Sequence, residues 1–179
     1  MKTVYLALGS NMGDRAGSIA RAIAALGEHG VRVKRQSSLY ETEPVDVRGG
    51  GWFLNCAVEA ETELMPRQLM QALLAIERSL GRQRRRKSES PAEGASEGPK
   101  EPRTIDMDIL LLGSSVVGMP ELEIPHPRMA ERRFVLVPVA EIAPEVRHPL
   151  LKKTIAELLA STPDRSHVRV WKVSGNYGS

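Results

Sequence analysis

At 179 residues, 41% of them hydrophobic and 26% charged, the chain has the make-up of an ordinary soluble domain able to bury a proper core, and one domain spanning 1–179 is expected. A single cysteine, Cys56, excludes an internal disulfide and a cysteine-based metal site and fits a reducing compartment. No apolar run is long enough to span a bilayer, and Met1-Lys2-Thr3-Val4-Tyr5 enters a strand with no signal peptide, so a cytoplasmic protein without a membrane partner is expected.

In chain order, Val4 to Leu8 is expected as a strand. Gly9-Ser10-Asn11-Met12-Gly13-Asp14 then turns into a helix from about Arg15 to Glu28, with apolar Ile19, Ala22, Ile23 and Leu26 on one face. Asn11 and Asp14 suit helix capping, and the turn has neither the dinucleotide fingerprint nor a Walker A ending. Val31 to Leu39 is a second strand, Glu41 to Gly51 a Pro/Gly-rich loop, and Leu54 to Glu61 a third strand. Pro66 starts a second helix with Leu69, Met70, Leu73, Leu74 and Ile76 at helical spacing, expected to stop near Gly81.

Between Gly81 and Pro102 the hydrophobic periodicity disappears, and Ser88 to Pro99 holds no large apolar residue. A flexible loop at about 82–103 is expected, a flap whose basic roots lie near phosphate. The net charge is only +3, but Arg78, Arg82, Arg84, Arg85, Arg86, Lys87, Lys100 and Arg103 fall together, which suits an anionic partner. Asp106 to Leu112 supplies a further strand, Leu150 to Ala160 a helix and Val168 to Val173 a late strand. The βαββαβ order predicts the α+β class with a ferredoxin-like core, an antiparallel sheet with both helices on one face and additional C-terminal elements.

The chemistry concentrates in Pro102-Arg103-Thr104-Ile105-Asp106-Met107-Asp108-Ile109. Strand alternation places Asp106 and Asp108 on one face and Ile105, Met107, Ile109 and Leu111 on the other. The apolar run that follows predicts a strand well inside the sheet, where two close carboxylates repel unless a cation or proton compensates. Oxygen-only ligands without a nearby His or Cys favour magnesium, which accepts one or two carboxylates, waters and substrate phosphate oxygens.

Five segments in order carry a resemblance: Ala7-Leu8-Gly9-Ser10-Asn11; Phe53-Leu54-Asn55-Cys56-Ala57; Ile76-Glu77-Arg78-Ser79-Leu80-Gly81-Arg82; Pro102 to Asp108; and Ile124-Pro125-His126-Pro127-Arg128 through Leu136. Together the chain resembles the 6-hydroxymethyl-7,8-dihydropterin pyrophosphokinase family of folate biosynthesis. The resemblance implies transfer of pyrophosphate from ATP to the pterin hydroxymethyl group with release of AMP, using two magnesium ions. It makes Asp106 and Asp108 the metal ligands and Arg82 and Arg103 the catalytic arginines that close over the triphosphate, with Arg84 assisting. Glu77, Ile109, His126 and Arg132 fall on the nucleotide side. Thr42, Pro44, Val45, Phe53, Asn55 and Phe134 fall on the pterin side, where two aromatic rings can sandwich a flat heterocycle and an Asn amide can pair with its edge.

There are departures from the pattern. The flap is longer than usual and lacks a tryptophan, Glu43 adds an acid beside Thr42, and Pro127 stands where many members have a tyrosine. With ATP and the dihydropterin as partners, no nucleic acid and a monomeric chain are expected. Two alternatives stay open on the residues alone: a ferredoxin-like nucleic-acid-binding module, which would need aromatic residues on its central strands, and a magnesium-dependent phosphate hydrolase, for which no nucleophile is evident.

Overall fold

The computed structural model describes residues 1–44, 51–85 and 104–172, and among these the side chains of all but 82–85. The central strands are β1 (Lys2–Ser10) and β4 (Phe53–Thr62), antiparallel with Leu8 opposite Cys56, Leu6 opposite Val58 and Val4 opposite Ala60. These residues form one apolar face, and α1 (Arg15–Glu28) and α2 (Pro66–Arg85) cover it with Ile19, Ala22, Leu26, Leu69, Leu73 and Ile76. The amphipathic spacing seen in the sequence is therefore satisfied by burial on the sheet. Asp14 caps α1 as expected, its side chain accepting the Gly17 N–H at 3.0 Å. α2 continues through Gly81 to Arg85 and does not stop at the glycine: an isolated glycine costs a helix only about 1 kcal/mol, and good helix formers follow it.

The expected strand Val31 to Leu39 is two strands sharing one lane along β4, β2 (Val31–Gln36) and β3 (Tyr40–Thr42). The break is at Ser37, whose N–H donates to Ala57 O at 2.9 Å while its hydroxyl accepts the Ala57 N–H at 2.9 Å. β5 (Asp106–Leu112) pairs with β1, and β8 (Val168–Val170) with β3, so the sheet runs β5-β1-β4-β3-β8 with β2 beside β4. β5 thus ends the sheet and does not lie inside it. Beyond it come the hairpin of β6 (Val117–Met119) and β7 (Leu122–Ile124) and the His126 N–H, which donates to Leu110 O at 3.0 Å.

The second face of the sheet, which the sequence left uncovered, carries α3 (Arg133–Ile142) and α4 (Ile155–Ser161). Leu136, Val139, Ile155 and Leu158 pack there with Tyr5, Ala57 and Leu111. α3 includes Pro138 within an apolar run, which obscures helical periodicity. The helix expected from Leu150 starts only at Ile155, after a Thr154–Glu157 capping box, because Lys152 has φ 59° and belongs to a turn. The core is ferredoxin-like, with a helical layer on each face.

Candidate functional site

The site lies on the α3 side of the sheet and begins with two small residues of β1. Gly9 pairs with Asn55 on one side and Asp106 on the other, and Ala7 pairs likewise with Ala57 and Asp108. Partners directly opposite in an antiparallel pair share a face, so Asn55, Asp106 and Asp108 rise on the same side from a floor kept low by glycine and alanine. A Cβ at Gly9 would come within 2.5 Å of Asn55 Oδ1. The floor opens into a cleft of about 380 Å³, walled by Thr42, Phe53 and Asn55 on the sheet and by Arg132, Phe134 and Val135 at the start of α3.

Asp106 and Asp108 are exposed in this cleft while Met107 between them is buried. The expected phase of the strand holds through Ile109 and then breaks. The register with β1 skips Leu110, so Ile109 and Leu112 face the α1/α2 core while Leu110 and Leu111 face α3. Leu111 therefore does not share a face with Ile109. The side chain of Ile109 points away from the cleft, leaving only its backbone to a nucleotide.

The two carboxylates fit a magnesium site. They share one face, and they are open to solvent so that their repulsion is screened. A cation held by two carboxylates must complete its shell with water and phosphate oxygens, which is how magnesium is bound in phosphoryl-transfer sites. Glu77 of α2 accepts the Met107 N–H at 2.8 Å, anchoring the β5 backbone between the two aspartates.

His126 Nδ1 accepts the Arg128 N–H at 3.2 Å, which assigns the proton of the neutral ring to Nε2. Burial holds its pKa below the ordinary value; the Asp108 charge opposes this, and Arg132 and Arg128 reinforce it. The ring is thus a neutral donor near Asp108. On the other wall, Asn55 Nδ2 donates to the buried Thr42 hydroxyl at 2.7 Å, which fixes the amide orientation. Phe53 and Phe134 are both half-buried at the cleft, not core residues, and the Arg132 guanidinium carbon sits 5.6 Å from the Phe134 ring centroid.

The structure thus brings Thr42, Phe53, Asn55, Asp106, Asp108, Arg132 and Phe134 to one cleft. Pro44 lies just beyond Thr42, and His126 lies on the Asp108 side. Val45, Arg103 and the side chains of Arg82 and Arg84 lie outside the described residues, as does the segment 86–103. Sequence reasoning missed Asp164, which also lines the cleft. It sits in Thr162-Pro163-Asp164-Arg165-Ser166, which reads locally as an ordinary loop.

The family model described as 7,8-dihydro-6-hydroxymethylpterin-pyrophosphokinase matches residues 5–144. The 2-amino-4-hydroxy-6-hydroxymethyldihydropteridine pyrophosphokinase of Bacillus subtilis is 41% identical over 169 residues, covering 94% of this chain and 89% of its own. The protein of the same name from Methylorubrum extorquens is 40% identical over 161 residues, covering 89% and 93%. Among solved structures, wild-type HPPK-DHPS of Plasmodium falciparum superposes with a TM-score of 0.67 at 16% identity, over 89% of this chain and 44% of that one, a likeness of fold. No helix among the described residues is long and apolar enough to cross a membrane.

Proposed function

The chain belongs to the 7,8-dihydro-6-hydroxymethylpterin-pyrophosphokinase family, and on that premise we propose that it transfers the pyrophosphoryl group of ATP to the hydroxymethyl oxygen of 6-hydroxymethyl-7,8-dihydropterin, releasing AMP, as a step of folate synthesis. One observation carries the proposal. A cleft with an aromatic ring on each wall and an oriented amide opens directly onto two carboxylates on one strand face.

Phe53 and Phe134 take the flat pterin between them, and Asn55 presents a donor and an acceptor to its edge, with Thr42 holding the amide in place. This orients the hydroxymethyl group toward Asp106 and Asp108, so that the attacking oxygen and the β-phosphorus approach in line. The aspartates would hold two magnesium ions, which would supply positive charge to offset the charge on the triphosphate oxygens. His126 donates from Nε2 to a phosphate oxygen without adding a titrating charge. Arg132 contributes positive charge from the α3 wall. Arg82 and Arg103, assisted by Arg84, grip phosphate oxygens with planar guanidiniums, and Glu77 keeps the metal-bearing strand in register. Val45 and Pro44 complete the pterin side, and the Ile109 backbone the nucleotide side.

We propose further that the enzyme is cytoplasmic and monomeric, a reading supported by its single cysteine, which is buried. The nucleic-acid alternative loses support because α3 and α4 cover the sheet face on which such a module would stack bases. The test is incubation with ATP, magnesium and the hydroxymethyl-dihydropterin. AMP should form in proportion to pterin consumed, and AMP that forms without pterin, or fails to form at all, refutes the assignment.

A further inference from the structure

Residues 162–171 cross from one wall of the cleft to the other, beyond the segment that the family model matches. At the α3 end, Asp164 uses both carboxylate oxygens: Oδ2 accepts the Arg133 N–H at 2.8 Å and Oδ1 accepts the Ser166 N–H at 2.9 Å. Arg133 Nε in turn donates to the Ser166 carbonyl at 3.2 Å. Arg133 opens α3, and its N-cap residue, Arg132, makes no side-chain capping bond among the described residues. Asp164 supplies the missing acceptor from 31 residues downstream. Burial alone would raise its carboxyl pKa, but the Ser166 and Arg133 amides outweigh that and hold it below the ordinary range.

At the other end the same segment ties down the sheet wall. β8 pairs with β3, Thr42 opposite Val168, and Glu43 exchanges two bonds with His167: its N–H to His167 O at 3.3 Å, and its Oε1 from the His167 N–H at 2.8 Å. Arg169 donates to Glu41 Oε1 at 2.5 and 3.2 Å and lies 4.6 Å from the Trp52 ring centroid. Glu41 also holds Arg15 at 3.0 Å, and Arg15 binds the Trp52 carbonyl at 2.6 Å, next to Phe53.

α3 is packed on the sheet through Val135, Leu136, Val139 and Ile142, and Asp164 adds the side-chain acceptor at its N-terminus, between Arg132 and Phe134 on the cleft wall. We propose that residues 162–171 are a tether that sets the spacing of the two aromatic walls, with Asp164 and Arg169 as positioning residues for the flat heterocycle between them. The proposal rests on the pterin assignment above. Contact attraction between ring and ligand falls by a quarter to a half when a gap of about 0.5–1 Å opens, so a wall released at either end weakens the sandwich.

The experiment compares Asp164→Ala, Arg169→Ala and the double variant. Dissociation constants for the pterin and for ATP are measured separately, together with KM, kcat and melting temperature. Each single variant should raise the pterin dissociation constant about ten-fold, the size expected for losing hydrogen bonds to one charged group, with ATP binding within about two-fold of wild type. The double variant should bind pterin no worse than the weaker single, because both residues act on the same wall spacing and loosening either one already loses it. Asp164→Asn, which keeps one acceptor oxygen, should recover part of the affinity and serves in place of the alanine variant if that fails to fold. Unchanged pterin binding, equal losses for ATP and pterin, or additive losses in the double variant would overturn the tether. Failure of the wild-type enzyme to form AMP would instead overturn the functional assignment, so the two failures are separable.

Discussion

Gly9→Ala tests the floor of the cleft. Gly9 is not among the described glycines with positive φ, so alanine is conformationally allowed and should gain about 0.4–1 kcal/mol by restricting the unfolded chain. Against this, the new Cβ would sit 2.5 Å from Asn55 Oδ1, with Asn55 Cγ at 3.6 Å and Leu54 O at 3.7 Å. Only the amide oxygen is in the way, and it must retreat by about 3.4 − 2.5 = 0.9 Å to reach ordinary contact. That movement strains the 2.7 Å bond from Asn55 Nδ2 to Thr42, a loss of about 1 kcal/mol. The two terms nearly cancel, so the melting temperature should move by less than about 4 °C. Pterin affinity, which depends on the amide's direction, should fall about ten-fold or more, with ATP affinity unchanged. Calorimetric titration with each substrate and thermal unfolding of the same sample provide the check. In an Asn55→Ala background the clash is gone, and Gly9→Ala should add no further loss. Wild-type pterin affinity in the single variant, or a full further loss in the Asn55→Ala background, would refute the reasoning.

Asp106→Ala and Asp108→Ala should each abolish AMP formation while leaving a folded protein, since both side chains are exposed on a strand held elsewhere by buried neighbours; near-normal turnover in both would remove the metal-site assignment. Arg82→Ala and Arg103→Ala should chiefly lower kcat with modest loss of ATP affinity, as expected of groups that engage the phosphates most strongly in the transition state; equal losses in ATP binding and turnover would mark them as ground-state contacts. Stability should fall as pH drops below the ordinary imidazole value of 6.5, because burial holds His126 and His148 neutral in the folded state while the unfolded chain takes up protons. The loss is complete below the folded pKa values, and the depressed carboxyls of Glu141 and Asp164 add their own loss only near and below their ordinary values of 4.5 and 3.8. His126→Asn should therefore reduce the slope of the denaturant midpoint against pH below about 6.5, and an unchanged slope would count against a buried neutral histidine.

Local chemistry was legible wherever one element decided it. The α1 span from Arg15 to Glu28 follows from a capping aspartate and a 3.6-residue apolar stripe, and the shared face of Asp106 and Asp108 follows from strand alternation. Phe53 and Phe134 were harder, since an aromatic residue reads equally as core or as ligand wall. Only the cleft between β4 and α3 separates the two readings.

By itself the sequence determined the βαββαβ order, the paired carboxylates, the small residues of β1 and the motifs that mark the family, because each is encoded in neighbouring residues and periodicity. Tertiary structure alone decided that β5 ends the sheet, that a bulge at Leu110 turns Leu111 to the α3 side, and that α3 closes the second face. It also recruited Asp164 to cap a helix begun 31 residues earlier. Pairing register, a skipped residue and a cap borrowed across the fold depend on which surfaces meet in space, and no local window of sequence carries that information.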